Sequence, residues 1–152
     1  MAEEDTFGYS FRLDDGDLVL EDDPVTGLRT IALISGKRNL LQALQLRVLT
    51  PFSSDRFNTT YGLDIREAFV QPGGVGMVKA LIRLNLVRTL GTDPRVSDIR
   101  EVLFEDDPAY LARHPELAPA NLTFRHTRFW HVDVTIETVA GTSQTLAVGV
   151  GV

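Results

Sequence analysis

The chain contains no cysteine, which removes disulfides, thiolate metal sites and cysteine nucleophiles from consideration. Long apolar runs are also missing. The longest stretches, near Leu40 and Val78, are broken by Gln, Arg or Lys, so no membrane insertion is expected. The opening MAEEDTFGYS is acidic without an apolar core, and no signal peptide is expected. No G-x-S-x-G elbow occurs, and the serines at 10, 35, 53, 54, 97 and 143 stand in no triad pattern. Gly73-Gly74-Val75-Gly76 opens a predicted helix, but no G-K-[ST] follows, so a phosphate cradle is not expected there. Of the three histidines, His126 and His131 lie an odd number apart on one predicted strand. They point to opposite faces and cannot share a metal. His131 and Asp133 share a face, where a solvated cross-strand role is expected. No cofactor and no metal are expected.

What is present is the composition of a globular domain: 43% hydrophobic and 24% charged over 152 residues, enough chain to bury a core unaided. The net charge of -6 is unevenly spread. Residues 1–23 carry nine acidic side chains against Arg12 alone, and the remainder carries 12 acidic against 14 basic. Neither part offers the dominant basic stripe that nucleic acid requires. The acidic arm, 1–27, reads either as a solvated extension or as a docking element for a basic partner. Asp14-Asp15-Gly16-Asp17 lacks the alternating spacing of a calcium loop, and Pro24 breaks the second acidic cluster.

From 28 to 152 the sequence reads as one domain of mixed helix and strand. Strands are predicted over 17–20 and 28–34, with a turn at 24–27. A first helix carries Leu40, Leu41, Leu44 and Val48 on one stripe, with Ser35 or Asn39 as its cap and Asn39 with Gln42 imitating a capping box. Pro51 forces Thr50 out of the helical region and ends that helix. One helical turn is predicted over 64–69, a break at 72–74, and a second helix over 75–90 with Val78, Leu81, Ile82 and Leu86 inward and Gly91 as C-cap. Strands follow over 96–105 and 124–139, separated by a polar connection. In the latter strand Trp130, Val132, Val134 and Ile136 alternate with His131, Asp133, Thr135 and Glu137, giving one apolar and one wet face. A turn at 140–142 leads to a final strand, 143–152, with Leu146, Val148 and Val150 on one side and Ala147, Gly149 and Gly151 nearly bare on the other. Such a flat edge either pairs within its own sheet or accepts another strand.

Acid pairs are the remaining chemistry to weigh. Glu105-Asp106-Asp107 and Glu21-Asp22-Asp23 fall in predicted turns, where acids normally serve solubility. Nothing predicts one carboxyl in an apolar pocket facing a second, as glycoside hydrolysis demands. A glycan hydrolase therefore stands as a minor alternative.

Two motifs remain. Leu46-Arg47-Val48-Leu49-Thr50-Pro51, followed after a polar stretch holding Phe57 and Asn58 by Tyr61-Gly62-Leu63-Asp64-Ile65-Arg66, resembles the "R-L-L-T-P…Y-G-L-D-L" signature of small baseplate wedge proteins of contractile tails. Thr92-Asp93-Pro94-Arg95-Val96 is similar to the "E-P-R-[IL]" motif of the same proteins, with Asp93 in place of Glu. This is the gene-product-twenty-five-like baseplate wedge and sheath-initiator family of phage tails, type VI secretion systems and extracellular contractile injection systems. The resemblance covers roughly residues 28–138.

It implies a small α+β fold, beside which the residues themselves predict two main helices on a mostly antiparallel sheet and a C-terminal β-hairpin. It also implies no catalytic activity and a structural role for six copies around the tail axis. The implied partners are baseplate wedge proteins, the sheath protein through strand exchange, and tube or hub proteins. The location would be the cytoplasm during assembly and then the baseplate of a virion tail or injection particle. Beside this, the residues themselves suggest interface chemistry. Aromatic and arginine anchors at Phe57, Tyr61, Arg47 and Arg66 suit an interface, as does the Asp93-Pro94-Arg95 corner. The other readings are a loop packed over its own core, an ordinary turn, and a stand-alone cytoplasmic binding or regulatory module.

Overall fold

Asp-Gly and Asp-Pro turns shape the first part of the chain. In the computed structural model, which describes residues 6–70, 73–117 and 129–151, the fold is α+β and divides into two compact units, Met1–Leu44 and Gln45–Val152. The first unit holds six short strands: β1 (Tyr9–Phe11), β2 (Leu13–Asp14), β3 (Asp17–Leu18), β4 (Leu20–Asp22), β5 (Arg29–Ile31) and β6 (Leu33–Ser35). Helix α1 (Gly36–Leu49) follows, and the division between units falls inside it.

β2 and β3 form a hairpin turned by Asp15 and Gly16, whose φ angles of 48° and 87° give the left-handed pair that a two-residue hairpin favours. The turn after β4 is held by Asp23. Its Oδ1 accepts the N–H groups of Val25 at 2.7 Å and Thr26 at 3.3 Å, and these donors hold its carboxyl below the ordinary range. The acidic segment contains paired strands, including the predicted strand near 17–20 and the predicted turn at 24–27. Asp14, Asp17, Glu21 and Asp22 are themselves ladder residues with exposed side chains, and only Asp15 and Asp23 sit in the turns.

β6 pairs with β1, β5 pairs with β4, and the backbone bonds of Ala32 to Arg12 and Val19 join the two ladders. The apparent capping box is not one. Asn39 is buried inside α1, donates to the Phe7 carbonyl at 2.8 Å and accepts from Ser10 Oγ at 2.6 Å. Gln42 accepts from the Leu13 N–H and donates to the Phe11 carbonyl, both at 2.9 Å. Two side chains one helical turn apart satisfy strand groups that no other strand reaches. Phe7, Ala32, Leu40 and Leu44 are the buried apolar residues of this unit.

The second unit contains α2 (Arg66–Val70), α3 (Val75–Leu90), β7 (Val96–Phe104), α4 (Pro108–Arg113), a 3-10 turn (Pro115–Leu117), β8 (Phe129–Thr138) and β9 (Ser143–Gly151). β7, β8 and β9 form one antiparallel sheet in that spatial order. Its buried face carries Val102, Phe104, Val132, Val134, Ile136, Leu146, Val148 and Val150, and α3 contributes buried Ile82, Leu86 and Leu90. Gly91 ends α3 as predicted, but with φ of -68° rather than in the left-handed region, its N–H bonded to the Val87 carbonyl. Residues 124–128 of the predicted long strand, and His126 with them, lie outside the described residues. So does Val152.

The opposite face of β8 is only partly wet. His131 is exposed and bonds Glu105 through Nδ1 at 2.8 Å, as a cross-strand residue should. Asp133 is buried, because His114, following α4, brings Nε2 to 2.8 Å from its carboxylate. His114 Nδ1 meets Glu116 at 3.1 Å and its ring lies against Tyr110.

Replacing Ile82 by Ala should cost about 2–5 kcal/mol in denaturant unfolding, whereas exposed Leu84→Ala should change stability by less than about 0.5 kcal/mol. The bonds from Asp133 first, then Glu116, raise the His114 pKa above its ordinary value near 6.5. The stabilisation is therefore complete below about pH 6.5 and is lost as pH climbs through the higher folded-state value. A pH titration of melting temperature should show that loss on the alkaline side, and His114→Gln should abolish it.

Candidate functional site

The sequence motifs meet at one corner of the second unit. Thr50, leaving α1, and Leu63, closing the loop, are tied by Leu63 N–H to Thr50 O at 2.9 Å and Phe52 N–H to Leu63 O at 3.1 Å, with a parallel bridge between Pro51 and Leu63. Gly62 makes this closure possible. Its φ is 106°, and a Cβ there would lie 2.5 Å from the Thr50 carbonyl oxygen. The T-P and Y-G motifs are thus the two sides of one loop neck. Thr89 Oγ1, near the end of α3, donates to the Gly62 carbonyl at 3.1 Å and fastens the neck to that helix.

Arg47, in the last turns of α1, stacks its guanidinium 4.7 Å from the centre of the Tyr61 ring. It also donates to the Thr89 carbonyl at 3.5 Å and to Thr92 Oγ1. A cation there faces the carbonyl-rich end of α3. Burial raises the Tyr61 pKa, opposed by Arg47 and assisted by Asp93.

Asp93 is the centre of the corner, its side chain only 6% exposed. It accepts from Arg95 three times, from the backbone N–H at 3.0 Å, from Nε at 2.9 Å and from Nη2 at 2.8 Å. Burial opposes its charge, but the Arg95 side-chain and backbone donors, with the Arg47 charge, outweigh burial and hold the carboxyl below the ordinary range. The Asp93 bond likewise raises the Arg95 pKa. Pro94 fixes the backbone between acid and base, so that the guanidinium folds back onto its own neighbour. The sequence offers this fork to a partner's carboxylate or helix end; in the structure two of its nitrogens already hold Asp93.

The other predicted residues lie apart. Phe57 sits at the loop tip fully exposed, so it does not anchor the loop; Tyr61 and Gly62 do. Arg66 stands at the start of α2 on the rim of a cavity of about 640 Å³ bounded by Val48, Pro51, Phe52, Ile65 and Phe129. Leu146, Val148 and Val150 are 4%, 6% and 1% exposed. Their side chains are core, so a neighbour can meet β9 only through its backbone edge and its other face. Thr89 is a corner residue that sequence reasoning missed, and Thr92 and Gly62 stood in the quoted motifs without their contacts being foreseen. Only the Tyr61-Gly62 pair carried a local signal.

The edges of the β7-β8-β9 sheet differ. β7 carries Asp98, Arg100 and Glu101 and two register shifts, features that discourage edge pairing. β9 has an unbroken nine-residue register with β8 and no charged side chain. The Thr138 N–H donates to the Thr142 carbonyl. Ladder bonds alternate from that pair, so Gln144, Leu146, Val148 and Val150 bond β8 while Thr145, Ala147, Gly149 and Gly151 turn their backbone groups outward. Among the described residues no strand occupies that edge. The Phe129 ring lies over Gly149, where a Cβ would overlap it.

The acids once weighed for glycan hydrolysis are otherwise engaged. Asp107 accepts from Lys79 Nζ at 2.9 Å and from the Phe104 N–H at 2.8 Å, which keep it ionised against the effect of burial. Glu105 holds His131. The lowered pKa of Asp107 is the opposite of what a general acid needs. Among the described residues no cluster of His, Asp or Glu is arranged to hold a metal ion, and no helix is long and apolar enough to cross a membrane. Comparison with family models, curated proteins and solved structures finds no match for this chain.

Asp93→Ala should destabilise by about 1–3 kcal/mol because it strands Arg95. In a double-mutant cycle, Asp93→Ala with Arg95→Ala should cost less than the two single changes added. Gly62→Ala should be destabilising through the clash with Thr50, measured by the urea midpoint.

Proposed function

We propose that this chain is a structural component of the baseplate of a contractile injection machine. It would link wedge proteins to the first sheath ring and initiate sheath assembly. The observation that carries this reading is the open edge of β9, nine residues long, uncharged and regularly registered. An edge of that kind is normally protected unless a partner strand uses it. Main-chain bonds along Thr145, Ala147, Gly149 and Gly151 would supply affinity without any reacting group.

The corner supports the reading in a second way. The residues of both family-like motifs, separated by some 30 positions in sequence, build one rigid junction in which Arg47, Tyr61, Asp93 and Arg95 hold the loop neck against the end of α3. Such a junction can present the exposed Phe57 tip and the remaining surface of Arg95 to a wedge protein at little ordering cost. In this role Arg95 acts by holding the corner in shape as much as by touching the neighbour.

Ala147→Pro tests the edge, since it removes an outward N–H and leaves the β8 ladder intact. The variant should fold with wild-type circular dichroism yet fail to copurify with sheath protein or seed sheaths. Normal sheath formation would refute the assignment. Arg95→Ala combined with Asp93→Asn, which leaves no buried carboxylate unpaired, should give a folded protein that joins wedge assemblies poorly.

A further inference from the structure

The first unit carries a surface that neither the corner nor β9 explains. Strand residues 29–35 pair along one edge with β1 and β4, Phe11 facing Leu33 and Leu20 facing Ile31. Ala32, between Ile31 and Leu33, is 1% exposed and turned toward the buried side. The alternate face therefore gathers Tyr9, Phe11, Leu20, Ile31 and Leu33, which are 76%, 55%, 50%, 39% and 59% exposed. Solvated positions of a half-buried sheet ordinarily carry polar residues; a contiguous apolar face of this kind marks an interaction surface.

Its surroundings are acidic. Asp14, Asp15 and Asp17 occupy the β2-β3 hairpin and Asp22 and Asp23 the end of β4 and its turn, with Glu21 on the Ala32 side, against Arg12, Arg29 and, at the start of α1, Lys37 and Arg38. Arg29 is itself 3.8 Å from Asp22. A second copy would set acids against acids, which disfavours self-association through this face. The dimensions also restrict the occupant. Two strands about 5 Å apart and about 20 Å long offer a strip that one α-helix, about 10 Å across, covers over roughly 15 residues.

We propose that this face docks a cationic amphipathic helix of a partner protein. The apolar stripe of that helix would lie over Phe11, Leu20, Ile31 and Leu33, and its Lys or Arg flanks would lie against the acids of the hairpin and of the turn after β4. Covering a sheet face with a helix is the usual way to bury it, and acid-rimmed apolar surfaces select basic helices. The proposal involves neither Arg95 nor β9, so its failure and the failure of the baseplate reading are separable.

The test titrates the full chain by calorimetry with a synthetic amphipathic helix of leucine and lysine, and with its leucine and glutamate counterpart. The lysine peptide should bind with unit stoichiometry, and its affinity should drop several-fold as salt rises to physiological strength. The glutamate peptide should not bind. Phe11→Ser with Leu33→Ser, both at exposed positions, should weaken binding at least about tenfold. Tyr9→Ser with Leu20→Gln serves as an independent pair should the first reduce folding. Asp14→Asn, Asp15→Asn and Asp17→Asn together should weaken binding and flatten its salt dependence, Asn tolerating the left-handed backbone of Asp15. Equal binding of both peptides, indifference to these substitutions in folded variants, or concentration-dependent dimerisation abolished by the apolar pair would each overturn the proposal.

Discussion

Burying a carboxylate is costly unless donors surround it, and Asp93 meets that requirement with three N–H groups from one neighbour two residues away. The turn from α3 into β7 is fixed by this need. Arg95 must fold back, Pro94 must hold the intervening backbone, and Val96 then enters the sheet with its N–H on the Asp93 carbonyl. Arg47 shares in the same field while lying over Tyr61 and the end of α3. One buried charge thereby connects the last turns of α1, the loop neck, α3 and the start of the sheet. In that setting the neck of the loop 51–62 is tied to the end of α3 while Phe57 at its tip stays exposed.

The sheet distributes its chemistry unevenly for a related reason. β8 is paired on both sides, and its even-numbered residues give the core three buried aliphatic side chains, Val132, Val134 and Ile136. β7 closes its side with bulges and charges, while β9 carries no charged side chain and keeps an unbroken register with β8. The proposed assembly role draws on that difference, since backbone bonding at an edge provides affinity and the rigid corner provides orientation. The first unit follows another logic, in which the amides of Asn39 and Gln42 hold the strands to α1 and leave the alternate face apolar and open.

Regular elements with strong periodicity were legible. The bounds of α3 agree with the predicted 75–90, and the alternation of Trp130 to Glu137 identified the central strand. Elements governed by long-range contacts were not. Asn39 and Gln42 have the spacing of a capping box, but their partners lie about 30 residues upstream, beyond the reach of any local pattern. Asp133 occupies a polar position of an alternating strand, and only the packing of α4 and His114 buries it. Leu146, Val148 and Val150 were rightly placed on one face; which face the core would take is settled by α3 and the sheet together.

Sequence alone determined what depends on local backbone preference and on alternation: the helix ends at Pro51 and Gly91, the hairpin turn at 140–142, the α+β pattern, and the absence of thiol chemistry. Tertiary structure decided what depends on distance between remote residues. It set Arg95 onto Asp93, drew Arg47 and Tyr61 to the same corner, left Phe57 in solvent, and placed the uncharged β9 at an edge that no other strand of the described residues pairs. The physical reason is that periodicity fixes the direction of a side chain relative to its own element, whereas burial and pairing are fixed only when another element arrives to exclude water.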